Sequence, residues 1–179
     1  MNTILRGRNG YWKRNETMLE GKYMEYTLRV CQKRDFRDLK EIYQECVEFH
    51  QKNGYSLKKL PDAPEIFLQY VGELMESADA VVLVAAGDKG VMGYCISKVG
   101  EKPPVYANVK YGLIDNLAVA EKYQRKGVGQ QLFLESVKWF KKKGLSRIEL
   151  EVAVFNPKSV KFWKKMGFET FMNLMEWEM

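Results

Sequence analysis

The sequence predicts an α+β fold in which a mixed, mostly antiparallel sheet is flanked by helices. An apolar run and the segment that follows it are separated by the glycine-bounded turn at 87–90, which is typical of an antiparallel hairpin. Later the order is strand, helix, strand, helix, and a crossover helix between two strands implies that they pair in parallel. The length of 179 residues fits one domain.

Two units follow from the pattern along the chain. Residues 1–24 are polar and glycine-containing and have no clear period, so we expect a flexible N-terminal extension. Residues 25–179 carry the periodic segments and are expected to form a single domain.

The first half of the chain predicts strands and two helices. Tyr26–Cys31 alternates as a strand does, and Asp35 is placed to cap a helix that ends at Gly54. A second helix, after a proline-containing loop, runs to about Glu76. The apolar positions of the first helix form one stripe: Phe36, Leu39, Ile42, Tyr43, Cys46, Val47 and Phe49. Strands at 80–86 and 91–99 form the hairpin.

The second half predicts the parallel pair. The expected elements are a strand at Tyr111–Val119, a helix from Gly127 to about Lys143, a strand at Arg147–Val154, a helix at Pro157–Met166 and a final strand or hairpin at Phe168–Trp177.

Composition excludes several classes of protein. A hydrophobic fraction of 46% is too high for a disordered chain, and no stretch approaches the roughly 20 apolar residues of a membrane span. The three cysteines are far apart and lack a CxxC pattern, which argues against a disulfide framework and favours a reducing cytoplasm. With one histidine, we expect no metal site.

The positive charge is concentrated in one segment. Residues 120–166 hold 12 Lys and Arg against 4 Asp and Glu, whereas the whole chain has a net charge of +6. A local positive field suits an anionic partner such as nucleic acid, an anionic membrane surface or a polyphosphate cofactor, although lysines on a solvated helix face would look the same. The segment lacks a helix-turn-helix or an aromatic ribonucleoprotein pattern, which argues against nucleic acid.

A glycine-containing loop lies between a predicted strand and a predicted helix. In the segment QRKGVG, Gly127 and Gly129 remove side chains where backbone N–H groups would face a ligand. The N-terminus of the following helix adds further N–H groups, so the loop suits a phosphate or pyrophosphate. A P-loop lysine is absent, and Leu132 stands where a dinucleotide fingerprint needs its third glycine. The same spacing also fits a simple turn at the start of a helix.

Two segments together resemble a known family. LIDNLAVAEKYQRKGVGQQLF at 113–133 and VFNPKSVKFWKKMGF at 154–168 resemble the GCN5-related N-acetyltransferase (GNAT) superfamily. The resemblance extends from about Glu25 to the C-terminus. It implies a GNAT-like sheet whose central parallel strands splay apart and hold acetyl-CoA between them.

The resemblance also implies cofactor contacts. The backbone of Leu117 and Val119 would pair with the pantetheine arm, and Asn156 would hydrogen-bond it. The amides of 125–130 would hold the pyrophosphate, and Lys158 or Lys161 would meet the adenosine 3′-phosphate. The implied cofactor-binding residues are Leu117, Ala118, Val119, Gln124, Arg125, Lys126, Gly127, Val128, Gly129, Gln130, Asn156, Ser159 and Trp163. Asn156 has a second interpretation, because Asn followed by Pro157 is good chemistry for starting a helix.

The chemistry implied is transfer of an acetyl group to a primary amine by direct attack in a ternary complex. An alkyl amine has a pKa near 10.4, so a base or an orienting group is needed at neutral pH. Asp115, two residues ahead of Leu117, is the candidate catalytic residue, and a purely structural acceptor is the alternative. Glu149 and Glu151 are weaker candidates.

The main departure from the family is Trp163, which stands where the family's usual general acid is a tyrosine. Tyr94, Tyr106, Tyr111 and Tyr123 are present, but their spacing selects none of them. A non-catalytic acyl-CoA-binding GNAT-like module is therefore the alternative function. The acceptor stays open between a small-molecule amine and a peptide amine, and the resemblance leaves a homodimer open.

Overall fold

The computed structural model describes residues 4–7, 10–19, 22–54, 58–107 and 109–177, with side-chain environments from residue 25 onward. The strands are β1 (Ile4–Gly7), β2 (Gly10–Leu19), β3 (Lys22–Val30), β4 (Ala80–Gly87), β5 (Gly90–Glu101), β6 (Lys110–Val119) and β7 (Ile148–Leu150). The helices are α1 (Phe36–Lys52), α2 (Ala63–Glu76), α3 (Val128–Lys142) and α4 (Pro157–Lys165). Short 3₁₀ turns lie at Lys33–Asp35 and Glu121–Tyr123.

The strands follow one another across a single sheet in the order β1 to β7. Each neighbouring pair is antiparallel except β6 and β7, which are parallel and are connected by α3. This arrangement confirms the predicted mixed, mostly antiparallel sheet with one parallel pair.

Helices cover both faces of the central strands. The Tyr94 ring lies 5.6 Å from Phe67 of α2, whereas the neighbouring Cys95 accepts a hydrogen bond from Ser136 of α3 at 3.2 Å. Because successive strand residues point to opposite faces, α2 and α3 lie on opposite sides of the sheet. The core is buried on both sides, with Val71 of α2 and Leu132 of α3 each at 0% exposure.

Part of the predicted N-terminal extension is in strands. Residues 4–7 and 10–19 form β1 and β2, and β2 pairs with β3 from Lys13↔Leu28 to Leu19↔Lys22. The sequence did not indicate these strands because charged and polar residues interrupt any period-2 alternation. The boundary after residue 24 stays a prediction.

α1 begins directly after Asp35, as predicted, and Asp35 is its N-cap residue, but the Asp35 side chain does not cap the helix. The Asp35 carboxylate pairs with Arg29 and accepts the Gln32 N–H at 2.8 Å, and it makes no hydrogen bond to the N–H groups of α1. It therefore closes the turn before the helix. The predicted end of α1 is confirmed, since Gly54 follows Lys52 and Asn53 with φ +99°.

Two strand predictions near the C-terminus were wrong, one in length and one in existence. The strand expected at Arg147–Val154 is limited to the three residues of β7, and the segment 168–177 contains no strand. A strand needs a partner for its backbone groups, and among the described residues β7 pairs only with β6. The apolar side chains of 168–177 that suggested a strand are largely in solvent, with Leu174 at 87% and Trp177 at 85% exposure. No helix in the described ranges has both the length and the apolar character for a bilayer span.

Candidate functional site

The parallel strands β6 and β7 stay together for only three residue pairs, from Gly112↔Ile148 to Ile114↔Leu150. Beyond Ile114, β6 continues to Val119 and pairs with β5 on one side. In the described part of the chain, no strand pairs with its other side. An unpaired strand edge offers N–H and C=O groups to an extended ligand, so the divergence of β6 from β7 leaves an edge suited to binding one. We call the region between the two diverging strands the groove.

A β-bulge places Asp115 where the groove opens. The register shifts between Ile96 and Ser97, which pair with Asn116 and Ile114, so Asp115 is the extra residue on β6. Bulges re-aim a side chain, and here the carboxylate of Asp115 accepts a hydrogen bond from α2. At about 3.3 Å per residue, Asp115 lies roughly 13 Å along the strand from Val119.

The loop after β6 has the backbone conformation of an anion-binding cradle. Arg125 and Gly127 both have positive φ, +62° and +82°, and Gly127 is the N-cap of α3. The first intrahelical bond is donated by the Gln131 N–H to the Gly127 carbonyl at 3.1 Å. The N–H groups of the first turn, Val128 to Gln130, precede that bond and can donate to a ligand.

Gly129 joins the cradle to the groove. A Cβ built at Gly129 would lie 3.4 Å from Leu117 and 3.5 Å from Val119, both on β6, and 3.8 Å from Phe162 of α4. The start of α3, the side chains at the end of β6 and α4 therefore meet at this point.

The polar side chains of the cradle differ in their surroundings. The Gln124 amide donates to the Val119 carbonyl at 3.1 Å, which fixes the loop against the end of β6. The Lys126 ammonium donates to the Lys122 carbonyl, and the side chain of Arg125 is exposed. The structure thus assigns Gln124 to the support of the loop, while any ligand contact by these three residues stays a prediction.

Asn156 begins α4 as an N-cap. Its Oδ1 accepts the Ser159 N–H at 3.1 Å, and Pro157 is the first helical residue. This confirms the capping interpretation. The Nδ2 group of the same side chain is a separate donor, so the capping bond does not exclude a ligand contact.

Trp163 lies in an aromatic cluster of the core. It is 8% exposed, and its ring packs edge-on against Phe133, Phe162 and Phe168 at 4.8 to 5.5 Å. The indole of Trp163 has no titratable hydroxyl and packs in the core. A contact between Trp163 and the cofactor stays a prediction.

Asp115 belongs to a polar cluster that the sequence did not indicate. Lys98 of β5 forms an ion pair with Asp115 at 2.6 Å and donates to the Tyr70 hydroxyl at 2.7 Å, and Tyr70 donates to Asp115 at 2.9 Å. Burial opposes the charge on Lys98, but its bonds to Asp115 and Tyr70 outweigh that cost and raise the pKa of Lys98 above its ordinary value. Burial is also the main reason that the pKa of Tyr70 lies above its ordinary value.

A second cluster surrounds Glu149 on β7. Lys102 and Arg147 each donate to its carboxylate at 2.7 Å, and the ammonium of Lys102 lies 4.3 Å from the centre of the Tyr111 ring. Burial alone would raise the pKa of Glu149, but the bonds from Lys102 and Arg147 outweigh burial and lower it. Glu151, the other weak candidate, is exposed.

The tyrosines considered as acids are in contrasting environments. Tyr123 is 2% exposed, Tyr106 is 60% exposed, and Tyr94 is fully buried with no hydrogen-bond partner for its hydroxyl among the described residues. Tyr70, which sequence reasoning did not single out, is the tyrosine bonded to Asp115. Tyr70 follows the buried Phe67 of α2 by three residues, so the two side chains share a helix face that is turned toward the sheet. This spacing did not indicate Asp115 as the partner of Tyr70.

A separate cavity of about 480 Å³ lies between β3, the β4–β5 turn and the start of α1. It contains none of the predicted site residues. Asp35 and Asp38 in its wall already bond Arg29 and the Val91 N–H. We therefore place the candidate site at the groove between β6 and β7.

A family model described as the acetyltransferase (GNAT) family matches residues 36–168. The chain belongs to this family. The matched range holds the cradle, the bulge and α4, so it confirms the family that the two sequence segments resembled. Among the described residues of this GNAT chain, no group of three His, Cys, Asp or Glu side chains could hold a metal ion.

Two curated relatives are similar over part of their length. An N-alpha-acetyltransferase of Sulfurisphaera tokodaii is 30% identical over 102 residues, which is 54% of this chain and 61% of the relative. A putative ribosomal protein bS18-alanine N-acetyltransferase of Bacillus subtilis is 30% identical over 97 residues, 54% of this chain and 59% of the relative. The GNAT chain thus spans about three fifths of the length of these relatives.

Solved structures share the fold at low identity. A tetramutant of the BH1408 protein from Bacillus halodurans has a TM-score of 0.73 at 20% identity and covers 85% of this chain and 99% of its own. The aminoglycoside N-acetyltransferase AAC(6')-Iy in complex with CoA has a TM-score of 0.70 at 15% identity, covering 90% and 99%. These similarities establish the GNAT fold of this chain.

Proposed function

We propose that the chain is an N-acetyltransferase that moves the acetyl group of acetyl-CoA to a primary amine by direct attack in a ternary complex. The observation that carries this proposal is the N–H cradle at 125–130, which directly follows the free edge of β6. One of the fold's solved neighbours is in complex with CoA, which supports the choice of cosubstrate.

The residues present fit that cosubstrate. A Cβ added to Gly127 would have no atom within 4 Å, so the space beside Gly127 is open. The amides of 125–130 would hold a pyrophosphate, and the backbone of Leu117 and Val119 would pair with the pantetheine arm. Asn156 would hydrogen-bond the pantetheine arm, Ser159 would contact the cofactor further along, and Lys158 or Lys161 would meet the 3′-phosphate. Acetyl-CoA supplies an activated thioester when bound.

The chain's own residues would hold and orient the acceptor amine. Asp115, where the groove opens, is the proposed group that accepts from the amine, and Tyr70 and Lys98 fix its position. Direct attack is favoured over a cysteine intermediate, because burial raises the pKa of Cys95 to about 11 and of Cys31 to about 12.

The acceptor class is supported by the relatives' names. One curated relative is named an N-alpha-acetyltransferase and the other a ribosomal protein alanine N-acetyltransferase, which makes a peptide amine a natural first acceptor, beside a small-molecule amine. The expected location is the cytoplasm, in line with the free cysteines Cys31, Cys46 and Cys95. A homodimer stays an open prediction.

The proposal is tested by titrating acetyl-CoA and by following CoA release with a panel of amines. Gly129→Glu adds a negative charge to the first turn of α3, with the new Cβ in van der Waals contact with Leu117 and Val119, and we expect acetyl-CoA affinity to fall at least about tenfold by charge repulsion. Gly72→Glu, at a helical glycine of α2 where an added Cβ meets no atom within 4 Å, is the control for the added charge. Equal affinity of the two variants would contradict the cradle.

A second candidate is a non-catalytic acyl-CoA-binding module, and the burial of Trp163 in the core favours it. Such a module would bind acetyl-CoA in the cradle and release no CoA with any amine. A loss of CoA release of at least about tenfold in Asp115→Asn, with acetyl-CoA affinity unchanged, would instead support the enzyme.

A further inference from the structure

The segment 169–177 has no regular secondary structure and leaves its apolar side chains in solvent. Five large apolar residues lie within seven positions, with exposed fractions of 57% to 89%: Phe171, Met172, Leu174, Met175 and Trp177. Single apolar residues are normal on a protein surface, whereas a contiguous group of this size marks an interaction site.

The backbone of this segment is also open to a partner. The Phe168 N–H donates to the Trp163 carbonyl at 3.0 Å, which fixes the end of α4. Beyond that point, no backbone–backbone hydrogen bond joins residues 169–175 to another described residue. An unpaired backbone with large apolar side chains has what a strand needs except the neighbouring strand.

The chain's own sheet is too short to supply that neighbour. The guanidinium of Arg147 lies 4.9 Å from the centre of the Phe171 ring, so the segment passes the start of β7. Among the described residues the sheet ends at β7, which has three residues, whereas the segment has nine. A second copy of the same segment has the required length, and a two-fold axis brings one surface patch against itself.

The sequence of the segment is complementary to itself in the antiparallel direction. With Asn173 on the two-fold axis, Phe171 lies opposite Met175 of the second copy, and Met172 lies opposite Leu174. Opposed residues share a face of the strand pair, so each face joins apolar side chains of both copies. The pair of Phe171 and Met175 also allows a contact between sulfur and an aromatic ring.

The charges of the segment are compatible with this pairing. Its two carboxylates are Glu169 and Glu176, and it has no cation. In the same register Glu169 lies opposite Trp177, and Glu176 lies opposite Thr170. Like charges directly opposite each other would destabilise the pair, and this register opposes none.

The exposed apolar area is sufficient for a small dimer interface. A Phe or Trp side chain buries about 150–250 Å², and a Leu or Met side chain about 100 Å². At their exposed fractions, the five side chains offer roughly 600 Å² per copy. Two copies together would cover up to about 1,200 Å², which is the lower bound for stable interfaces.

We propose that two copies of the chain form a two-fold symmetric dimer through 169–177, in which the two segments pair as antiparallel strands about Asn173. The second copy supplies both the backbone partner and the apolar cover that the chain's own β7 is too short to provide. This inference does not depend on the proposed function.

The first experiment is analytical ultracentrifugation over about a hundredfold range of protein concentration, which should show a monomer–dimer equilibrium. Leu174→Asp places a charge opposite an apolar residue and should raise the dimer Kd at least about tenfold. Val105→Asp is the matched control, because Val105 is an aliphatic residue of similar exposure, 82% against 87%, in the loop after β5. It should change the Kd less than about twofold, and urea unfolding of the monomers should show that both variants fold.

The second experiment tests the axis. Opposed residues of antiparallel strands have Cα atoms about 4.5–5.5 Å apart, which is within the range of a disulfide. Asn173→Cys should therefore give a disulfide-linked dimer on mild oxidation. Val105→Cys, also at an exposed position, and the parent chain should give none.

The inference is supported if Leu174→Asp weakens the dimer and Asn173→Cys links it, while both Val105 variants behave like the parent. A dimer that Leu174→Asp leaves intact, or that Asn173→Cys does not link, overturns it, because the contact then lies elsewhere or in another register. A monomer at every concentration overturns it as well. Retention of that monomer on phosphatidylcholine vesicles would identify a bilayer as the partner of the segment instead.

Discussion

The cradle at the start of α3 can be tested with two glycines that are alike in backbone and different in place. Gly127 precedes α3 with φ +82°, and Gly144 follows it with φ +74°. Neither has any atom within 4 Å of an added Cβ, so alanine at either position meets only the strain of the left-handed conformation. That strain is about 1 kcal/mol for a residue with a side chain.

Gly127→Ala and Gly144→Ala are therefore expected to lower the free energy of unfolding equally, by about 1 kcal/mol. In a chain of this size, that corresponds to a decrease in Tm of roughly 2–4 °C. Only Gly127→Ala should weaken acetyl-CoA binding. Relaxation of its φ turns the first N–H groups of α3 away from the ligand, and loss of one hydrogen bond to a charged group costs about 1.5–3 kcal/mol, or roughly a 10- to 150-fold higher Kd.

The assays are urea unfolding of both variants and calorimetric titration with acetyl-CoA. Unequal loss of stability would show that the two glycines are not matched. If the stability losses match and the acetyl-CoA affinities of the two variants are also equal, the cradle does not bind the pyrophosphate.

Three further predictions concern single side chains. Tyr94→Phe removes a buried hydroxyl with no partner among the described residues, so the free energy of unfolding should stay unchanged or rise by about 1 kcal/mol. Tyr70→Phe breaks two hydrogen bonds, so the free energy of unfolding should fall by about 1–3 kcal/mol. Urea unfolding measures both variants. The pKa of Glu149 is lowered from 4.5, so its contribution to stability is present above that pH and is lost as pH falls through the lower folded value. Glu149→Gln should lower stability by about 2 kcal/mol at pH 7 and flatten the acid limb of the stability profile; an unchanged limb would contradict the assignment. Asn156→Asp keeps the capping oxygen but loses the Nδ2 donor, so unfolding should be unaffected while acetyl-CoA affinity falls about tenfold; equal affinity would leave Asn156 as a cap only.

The central elements of the fold were predictable because their signals are local. The stripe of α1, the glycines around α3 and the Asn-Pro start of α4 each depend on residues within a few positions of one another. The helix bounds in the structure follow these signals closely. Strands β4 and β5 were predicted from a continuous apolar run and the turn that follows it.

The errors fell where a segment needs a distant partner. The segment 168–177 was expected to form a strand or hairpin, yet the structure gives its backbone no strand to pair with. β7 ends after three residues because β6 diverges from it beyond Ile114. Composition and period describe what a segment is able to form, whereas pairing depends on where the neighbouring strand runs.

The sequence by itself determined the family, the cradle and the capping of α4, since each is written in consecutive residues. Only the tertiary structure brought Tyr70 and Lys98 to Asp115, across separations of 45 residues for Tyr70 to Asp115 and 28 for Lys98 to Tyr70. The bulge opposite Ile96 and Ser97 turned Asp115 toward α2. Strand register and helix packing decide which side chains meet when they are this far apart in sequence. No local sequence pattern therefore predicts such pairs.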